Sequence, residues 1–295
     1  MISIIISSAN AEMLKVAILN IQATIGATPF EILSYDNSKG ENGICEIYNI
    51  GAIAAKYEIL CFMHEDLDIL TNNWGLKVLE TFNANKSIGI IGVAGSAYKS
   101  RAPSGWGTAS EYPNTIFSNY LQSFKRVKKP SILYNFNPNY EIYSPVVCID
   151  GMWFCTLKNI VIEYPFDEAL FKGFHCYDID YCLSVSRKYI VVVTFSILME
   201  HFSEGGYNRD WFADTLKLHE KWRYSLPRSV LPLSKSEQNL LEKRAFKNII
   251  SQMVNLNYSV IEIAGFLYDF YKKNIIKTAL YLKLLYYGWK FSRRA

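Results

Sequence analysis

The sequence predicts an α/β fold, in which a sheet is flanked by helices, followed by a helical C-terminal extension. Over the first 95 residues, short apolar segments rich in β-branched residues alternate with segments that have helical spacing of apolar residues. Polar residues directly follow several of these apolar segments. Beyond about residue 227 the apolar spacing is helical. The strand and helix alternation is typical of a parallel, doubly wound sheet.

The elements follow from the pattern in chain order. Strands are predicted over residues 3–7, 30–34, 58–63, 88–93 and 190–195, with further apolar runs over 146–149 and 152–157. Helices are predicted over residues 13–24, 45–56 and 73–83, and residues 173–183 read as a loop that opens a helix. Ligands of such sheets bind beyond the carboxyl ends of the strands. The polar residues after each strand are therefore expected to meet at one rim.

Two regions depart from this alternation. Residues 95–141 lose regular periodicity and are rich in Gly, Pro, Ser, Asn and Tyr, as expected of a long functional or disordered loop. Beyond about Pro227, the segment Ser234 to Glu237 matches a helix capping box. We therefore predict a catalytic domain over residues 1–226, with 95–141 as a long insertion on the acceptor side, and a helical extension over 227–295.

Composition narrows the function classes. The chain has 295 residues, is 50% hydrophobic and carries a formal net charge of +4, so it can bury a large core. Its basic residues cluster at 125–129 and 290–294 without forming the stripe typical of nucleic-acid binding, and no nucleic-acid partner is expected.

The six cysteines have no zinc-site spacing and read as buried, reduced thiols. With no signal-peptide pattern and no apolar run of about 18 residues, a cytoplasmic location is expected.

The segment His64, Glu65 and Asp66 is the clearest candidate site. It directly follows a fully apolar predicted strand, where ionisable groups are costly unless they are exposed or hold a partner. Hard oxygen ligands at a strand end suit Mg²⁺ or Mn²⁺ that bridges a diphosphate. An ordinary solvated acidic turn explains the same residues.

Three further candidates each have an alternative reading. His201, before Gly205 and Gly206, is a second potential metal ligand, although a lone histidine is more often structural. Asp178 and Asp180 could both face a cleft, or one of them could cap a helix. Asp36 could recognise a base, or it could close a turn with the next residue.

Seven short elements follow one another in a fixed order. These are a Ser/Asn loop after the first strand, an Asp-Asn-Ser element after the second, an Asn-x-Gly helix, a His-x-Asp element, an Asp-Gly strand, an acidic pair and a histidine before Gly-Gly. The residues concerned are Ser8 and Asn10; Asp36; Asn49; His64, Glu65 and Asp66; Asp150 and Gly151; Asp178 and Asp180; and His201. In this order they resemble the inverting glycosyltransferases of family two, over roughly residues 1 to 210. The closest match is the subgroup with His in place of the first Asp of the Asp-x-Asp motif.

The resemblance implies a GT-A fold, which is a Rossmann-like mixed sheet flanked by helices. It also implies a donor nucleotide site at Ser8, Asn10, Asp36, Asn49, His64 and Glu65, and Mn²⁺ or Mg²⁺ at Asp66, His64 and His201. Asp178 is the favoured catalytic base, with Asp180 orienting its neighbours, and the opposite assignment stays open. Trp106, Asp150 and Gly151 are expected on the acceptor side. The implied reaction moves a sugar, with inversion, from a nucleotide sugar such as a UDP-sugar to a saccharide or lipid-linked acceptor in polysaccharide biosynthesis.

Two other functions are compatible with these residues. A sugar-1-phosphate nucleotidyltransferase also uses Mg²⁺, but the loop Ser7-Ser8-Ala9-Asn10 lacks the glycine-rich basic character that this chemistry needs. A degenerate module that binds a nucleotide sugar without transferring it would accommodate His64. The C-terminal segment from about Asn274 combines apolar and aromatic residues with Lys290, Arg293 and Arg294. It suits an anionic membrane surface at the inner face of the cell membrane, or packing on the catalytic domain or across a homodimer.

Overall fold

The computed structural model describes residues 1–107, 115–124, 129–203 and 205–293. Its main sheet has seven strands among these residues, and the predicted α/β fold is confirmed. Strands and helices are numbered in chain order. From one edge to the other the main sheet contains β10 (Tyr143–Val146), β13 (Ile190–Thr194), β5 (Ile88–Gly92), β12 (Trp153–Leu157), β3 (Ile59–Met63), β1 (Ile2–Ser8) and β2 (Phe30–Asp36).

The direction of two strands makes this sheet mixed. β1 runs parallel to β2 and β3, and β5 runs parallel to β13, as the alternation predicts. β12, however, lies antiparallel between β3 and β5, and β10 lies antiparallel to β13. The mixed sheet that the family resemblance implies is therefore confirmed, and the parallel arrangement predicted from the alternation of strands and helices holds for only part of it. The chain leaves β5 at its carboxyl end, builds a second sheet there and returns from that side, so β12 runs in the opposite direction without the crossover that a parallel strand needs.

The second sheet stands at the carboxyl end of β5. Its order is β11 (Cys148–Ile149), β6 (Ala94–Ser96), β8 (Ile116–Gln122), β14 (Met199–His201) and β4 (Leu67–Ile69), and β9 (Ile132–Phe136) pairs with β8. β7 (Tyr98–Lys99) pairs separately with β15 (Arg228–Ser229). Residues 95–141, predicted to be an irregular loop, thus contain strands. Two of these strands, β6 and β7, have only three and two residues, too few to show an apolar pattern, and β9 is mostly exposed.

Helices cover both faces of the main sheet. On one face α1 (Ala11–Thr24) and α3 (Trp74–Ala84) pack against alternate strand residues, including Ile4 and Met63. On the other face α2 (Ile44–Ala54), α4 (Lys158–Glu163) and α5 (Tyr177–Val185) pack against Ile5 and Phe62. This alternation along each strand explains why the strands are apolar throughout: both of their faces are buried.

The C-terminal helices share a separate apolar cluster with α6 (Arg209–Lys221). These helices are α7 (Lys235–Asn255), α8 (Val260–Lys272) and α9 (Thr278–Ser292). The predicted capping box at Ser234 and Glu237 starts α7, and a second box starts α8. Leu284 of α9 is fully buried against α7 and α8, together with Trp211 and Phe212 of α6. The division of the chain at residues 226 and 227 stays a prediction.

In the described part of the chain, no helix combines the length and apolar character needed to cross a membrane. α9 nevertheless exposes Leu282, Tyr286 and Trp289 on its outer side, while its inner side packs on the other helices. Of the basic cluster at 125–129, residues 125–128 lie outside the described residues, as does Arg294, whereas Lys290 and Arg293 belong to the end of α9.

Candidate active site

The first predicted loops meet at the carboxyl rim of the main sheet. Ser8 at the end of β1 lies opposite Asp36 at the end of β2. Glu65 reaches this loop: its carboxylate accepts hydrogen bonds from the Ser8 hydroxyl and from the backbone N–H groups of Ala9 and Asn10, the latter two at 3.1 and 3.2 Å. The Asn10 side chain caps α1. Glu65 thus fixes the loop after β1, and Asp36 stays exposed beside it.

Strand pairing brings a histidine from late in the chain to the His-x-Asp element. β14 pairs antiparallel with β4, which places His201 opposite Leu67, next to Asp66. The His201 Nε2 atom lies 3.7 Å from Asp66 Oδ1, and His64 Nδ1 lies 3.9 Å from the same oxygen. One ligand atom from each of the three residues lies within 4.8 Å of the others. His201 Nε2 is buried and makes no hydrogen bond with a described residue.

A tyrosine sets the orientation of His64. The Tyr177 hydroxyl donates to the carbonyl oxygen of Gly151 at 3.0 Å, so its single proton is committed there. The 2.8 Å contact between this hydroxyl and His64 Nε2 therefore has Nε2–H as the donor. That tautomer leaves the lone pair of Nδ1 directed toward Asp66. Burial lowers the pKa of His64, although the nearby Asp66 carboxylate opposes this effect. The lowered pKa favours a neutral imidazole.

Gly151 permits this contact, because a side chain there would collide with Tyr177. A Cβ atom at position 151 would lie 2.3 Å from the Tyr177 hydroxyl oxygen and 2.6 Å from its Cζ atom. The loop that contains Gly151 is also bonded to the candidate metal ligands, since the N–H of His64 donates to the carbonyl of Met152 at 2.9 Å. Gly151 thus acts through its backbone groups and its lack of a side chain.

A cavity of about 630 Å³ adjoins these residues, a volume typical of small-molecule sites. Of the predicted site residues, those lining it are His64, Trp106, Asp150, Gly151, Asp178 and His201. Tyr177 and Phe174 complete the wall near His64, whose ring lies 5.1 Å from that of Phe174.

Asp178 lies at the start of α5 with its carboxylate in this cavity. One carboxylate oxygen accepts from the N–H of Gly151 at 2.9 Å, and the other from the N–H of Ile179 at 2.8 Å. Burial raises the pKa of the Asp178 carboxyl to about 7, and the nearby Asp150 carboxylate adds to that rise. A carboxyl group with such a pKa can exchange a proton near neutral pH, as a general base requires.

Two predicted residues lie elsewhere and have structural partners. The carboxylate of Asp180 is buried against Lys221 at 2.8 Å and the indole N–H of Trp222 at 2.7 Å. The Asn49 side chain accepts from the N–H of Phe166 and donates to the Phe166 carbonyl, so it holds the segment that precedes α5. Neither residue lines the cavity.

Sequence reasoning missed Lys99, which is fully buried. Its ammonium group donates to the carbonyls of Ser104 and Gly105 at 2.6 and 3.0 Å, and to the Ser104 hydroxyl at 2.7 Å. Burial lowers the pKa of Lys99 to about 8. The turn that it holds carries Trp106 to the cavity. A lysine in a polar, irregular stretch gives no local signal of this role.

Comparison with known families supports one assignment. A model described as "Glycosyltransferase like family" matches residues 3–214. No curated protein matches the sequence significantly.

A solved structure is similar in fold to this chain. A crystal structure of GalNAc-T7 with UDP, GalNAc and Mn²⁺ superposes with a TM-score of 0.50 at 10% identity, covering 75% of this chain and 48% of that one. The chain thus spans about half the length of that protein. A crystal structure of A197 from STIV matches with a TM-score of 0.39 at 12% identity, covering 69% of this chain and 86% of that one. With the family match, the likeness to the first structure confirms the predicted GT-A fold.

Proposed function

The chain belongs to the glycosyltransferase-like family, and we propose that it transfers a sugar from a nucleotide-diphosphate donor to a saccharide acceptor with inversion. The observation that carries this proposal is the juxtaposition of His64, Asp66 and His201 with a cavity that also contains Asp178. The first three residues form a cation-binding group. The pKa of the Asp178 carboxyl, raised to about 7, suits a general base.

His64, Asp66 and His201 fit a divalent cation. Two ligand atoms that are each about 2.1 Å from one ion lie at most about 4.2 Å apart, and the two separations that involve Asp66, 3.7 and 3.9 Å, are within that limit. His201 Nε2, a buried atom that makes no hydrogen bond with a described residue, gains a partner in this way. Two imidazoles and one carboxylate favour a transition ion, and we therefore propose Mn²⁺ rather than Mg²⁺. The GalNAc-T7 structure with UDP and Mn²⁺ is consistent with this choice.

We propose that the donor diphosphate lies beside these residues and that its base lies toward Asp36. A divalent cation bound there would neutralise the charge that develops on the leaving diphosphate. The acceptor hydroxyl oxygen forms the new bond to the anomeric carbon while the bond to the diphosphate oxygen breaks. Asp178 takes the hydroxyl proton, and the backbone N–H of Gly151 holds its carboxylate in place. Asp180, with its two buried partners, supports α5.

UDP together with Mn²⁺ should raise the melting temperature, because both bind only the folded site. At a concentration one hundred times the dissociation constant, the gain in unfolding free energy is about 2.7 kcal/mol. The measurement is a thermal shift with UDP plus Mn²⁺, UDP plus Mg²⁺, and UDP plus EDTA. The largest shift is expected with Mn²⁺. If UDP, GDP, ADP and CMP all leave the melting temperature unchanged in the presence of metal, the donor site is refuted. UDP release that depends on a saccharide then separates transfer from binding alone.

We also propose that α9 contacts an anionic membrane surface. Leu282, Tyr286 and Trp289 follow one another at helical spacing on its outer side and are 58%, 61% and 43% exposed. Lys290 and Arg293 lie next to them, and the Arg293 guanidinium stacks over the Trp289 ring at 4.2 Å. Aromatic and basic groups together suit an interfacial helix.

Vesicles rich in phosphatidylserine should sediment the full chain at low salt and less of it at high salt, because the basic groups contribute electrostatically. A Tyr286→Ala/Trp289→Ala variant should lose most of this binding. Tyr268→Ala, which removes a half-exposed tyrosine of α8, is the matched control. The test uses substitutions rather than a truncation of α9. Removing the helix would also remove Leu284, which is buried in the apolar cluster of the C-terminal helices. Equal sedimentation of the parent and the double variant would contradict the proposal.

A further inference from the structure

A second cavity, of about 420 Å³, adjoins the first. The two share part of their walls, namely Gly105, Trp106, Tyr120, Tyr207 and Trp211. They are therefore two parts of one cleft, with Trp106 at the junction. The far wall of the second cavity comes from α7, through Asn248 and Gln252, which do not line the first.

The second cavity differs from the first in charge. No described residue that lines it is acidic, basic or a histidine. The first cavity, by contrast, contains Asp150, Asp178 and two of the three cation-binding residues. A phosphate or carboxylate in the second cavity would be desolvated without a countercharge, which is unfavourable. Its lining thus favours a neutral ligand.

Aromatic rings form much of the wall. Tyr120 and Tyr134 are cross-strand partners on β8 and β9, with stacked rings 5.4 Å apart. The Tyr207 ring meets the Trp211 ring edge to face at 4.7 Å. Tyr134 and Tyr207 are 44% and 58% exposed. Rings held by their neighbours and still open to solvent offer a flat apolar surface that suits the C–H face of a sugar.

Two amides complete the lining. Asn248 and Gln252 are four residues apart on α7, so their side chains lie on the same face of the helix. Neither side chain makes a hydrogen bond with another described residue. An amide side chain can both donate and accept hydrogen bonds. It therefore matches the hydroxyl groups of a sugar, which can also donate and accept.

We propose that the second cavity, which we call the α7 subsite, binds the next sugar of an acceptor whose terminal sugar lies beside Asp178. The acceptor is then a neutral oligosaccharide of at least two units, and the C-terminal extension takes part in recognising it. This inference rests on the proposed transferase function. It assigns the stacking to Tyr134 and Tyr207, and the hydrogen bonds to hydroxyl groups to Asn248 and Gln252.

The test is a glycan array that carries neutral saccharides of one to four units beside uronic-acid and sialic-acid glycans. The full chain should retain at least one neutral glycan of two or more units. Asn248→Ala/Gln252→Ala should bind it about tenfold more weakly or worse, because two hydrogen-bonding groups are lost. Alanine has the highest helix propensity, so α7 should stay folded. Asn239→Ala, an exposed substitution on the same helix outside the subsite, is the control and should bind like the parent.

Several results would overturn the subsite: equal retention by the double variant, preference for acidic glycans or single sugars, or no retention of any neutral oligosaccharide. The thermal shift with UDP plus Mn²⁺, measured on the same samples, distinguishes this failure from failure of the proposed function. If the shift persists while the array result fails, only the subsite is wrong. If the parent chain shows no shift with UDP, GDP, ADP or CMP in the presence of Mn²⁺, the transferase proposal itself fails.

Discussion

Asp178→Asn should reduce sugar transfer by a factor of about 10² to 10⁴, which is the usual contribution of a general base. The amide cannot accept the proton of the attacking hydroxyl. Donor binding should persist, because the cation-binding residues are unchanged and the asparagine keeps one oxygen for a backbone N–H. The measurement compares the initial rate of UDP release in the presence of acceptor with the thermal shift given by UDP plus Mn²⁺.

The pH dependence provides a second readout of the same base. Because the pKa of Asp178 is raised to about 7, its carboxyl is protonated below that pH and cannot accept a proton. The transfer rate of the parent should therefore rise with pH through about 7 and then level off. Asp180→Asn should instead lower the melting temperature, since the amide has no negative charge for Lys221 and only one acceptor oxygen for the two donors Lys221 and Trp222, and should keep the pH profile. A parental rate in Asp178→Asn would refute the assignment of the base.

Asp66→Ala should abolish metal-dependent nucleotide binding. Its carboxylate lies between the two imidazoles and is the one oxygen ligand of the group. Without it, the group has two imidazoles and no negative charge to offer a doubly charged ion. Titration with Mn²⁺, followed by electron paramagnetic resonance of the free ion, measures the loss directly and needs no acceptor.

Tyr177→Phe gives a graded comparison in the same titration. It removes the hydroxyl that fixes the His64 tautomer but keeps all three ligands and the ring. Loss of such an outer partner typically weakens metal binding 10- to 100-fold. The expected order of affinity is parent, then Tyr177→Phe, then Asp66→Ala. Binding by Asp66→Ala that equals the parent would exclude this residue as a ligand.

The sequence predicted the position of His64 and Asp66 better than the contacts that reach them from later in the chain. His64 and Asp66 directly follow an apolar strand, so the neighbouring residues were enough to place them at the rim of the sheet. The direction of β12 could not be predicted in this way, because an apolar run such as Trp153–Leu157 looks the same in either direction. The bond between His64 and Tyr177 spans 113 residues and has no sequence signature. Asn248 and Gln252 are polar residues within a helix, and only the packing of α7 shows that they line a cavity.

The position of β12 also affects the order in which the molecule can form. β3 and β5 are not bonded to each other; each pairs with β12, which comes between them in the sheet but after both in the chain. Between the end of β5 at Gly92 and the start of β12 at Trp153 lie about 60 residues, or roughly 3 to 12 s of synthesis at 5 to 20 residues per second. During that interval two apolar strand edges lack their partner, which is the kind of surface that pairs with other chains. A nascent chain of this protein therefore needs protection from aggregation until its central strand has emerged.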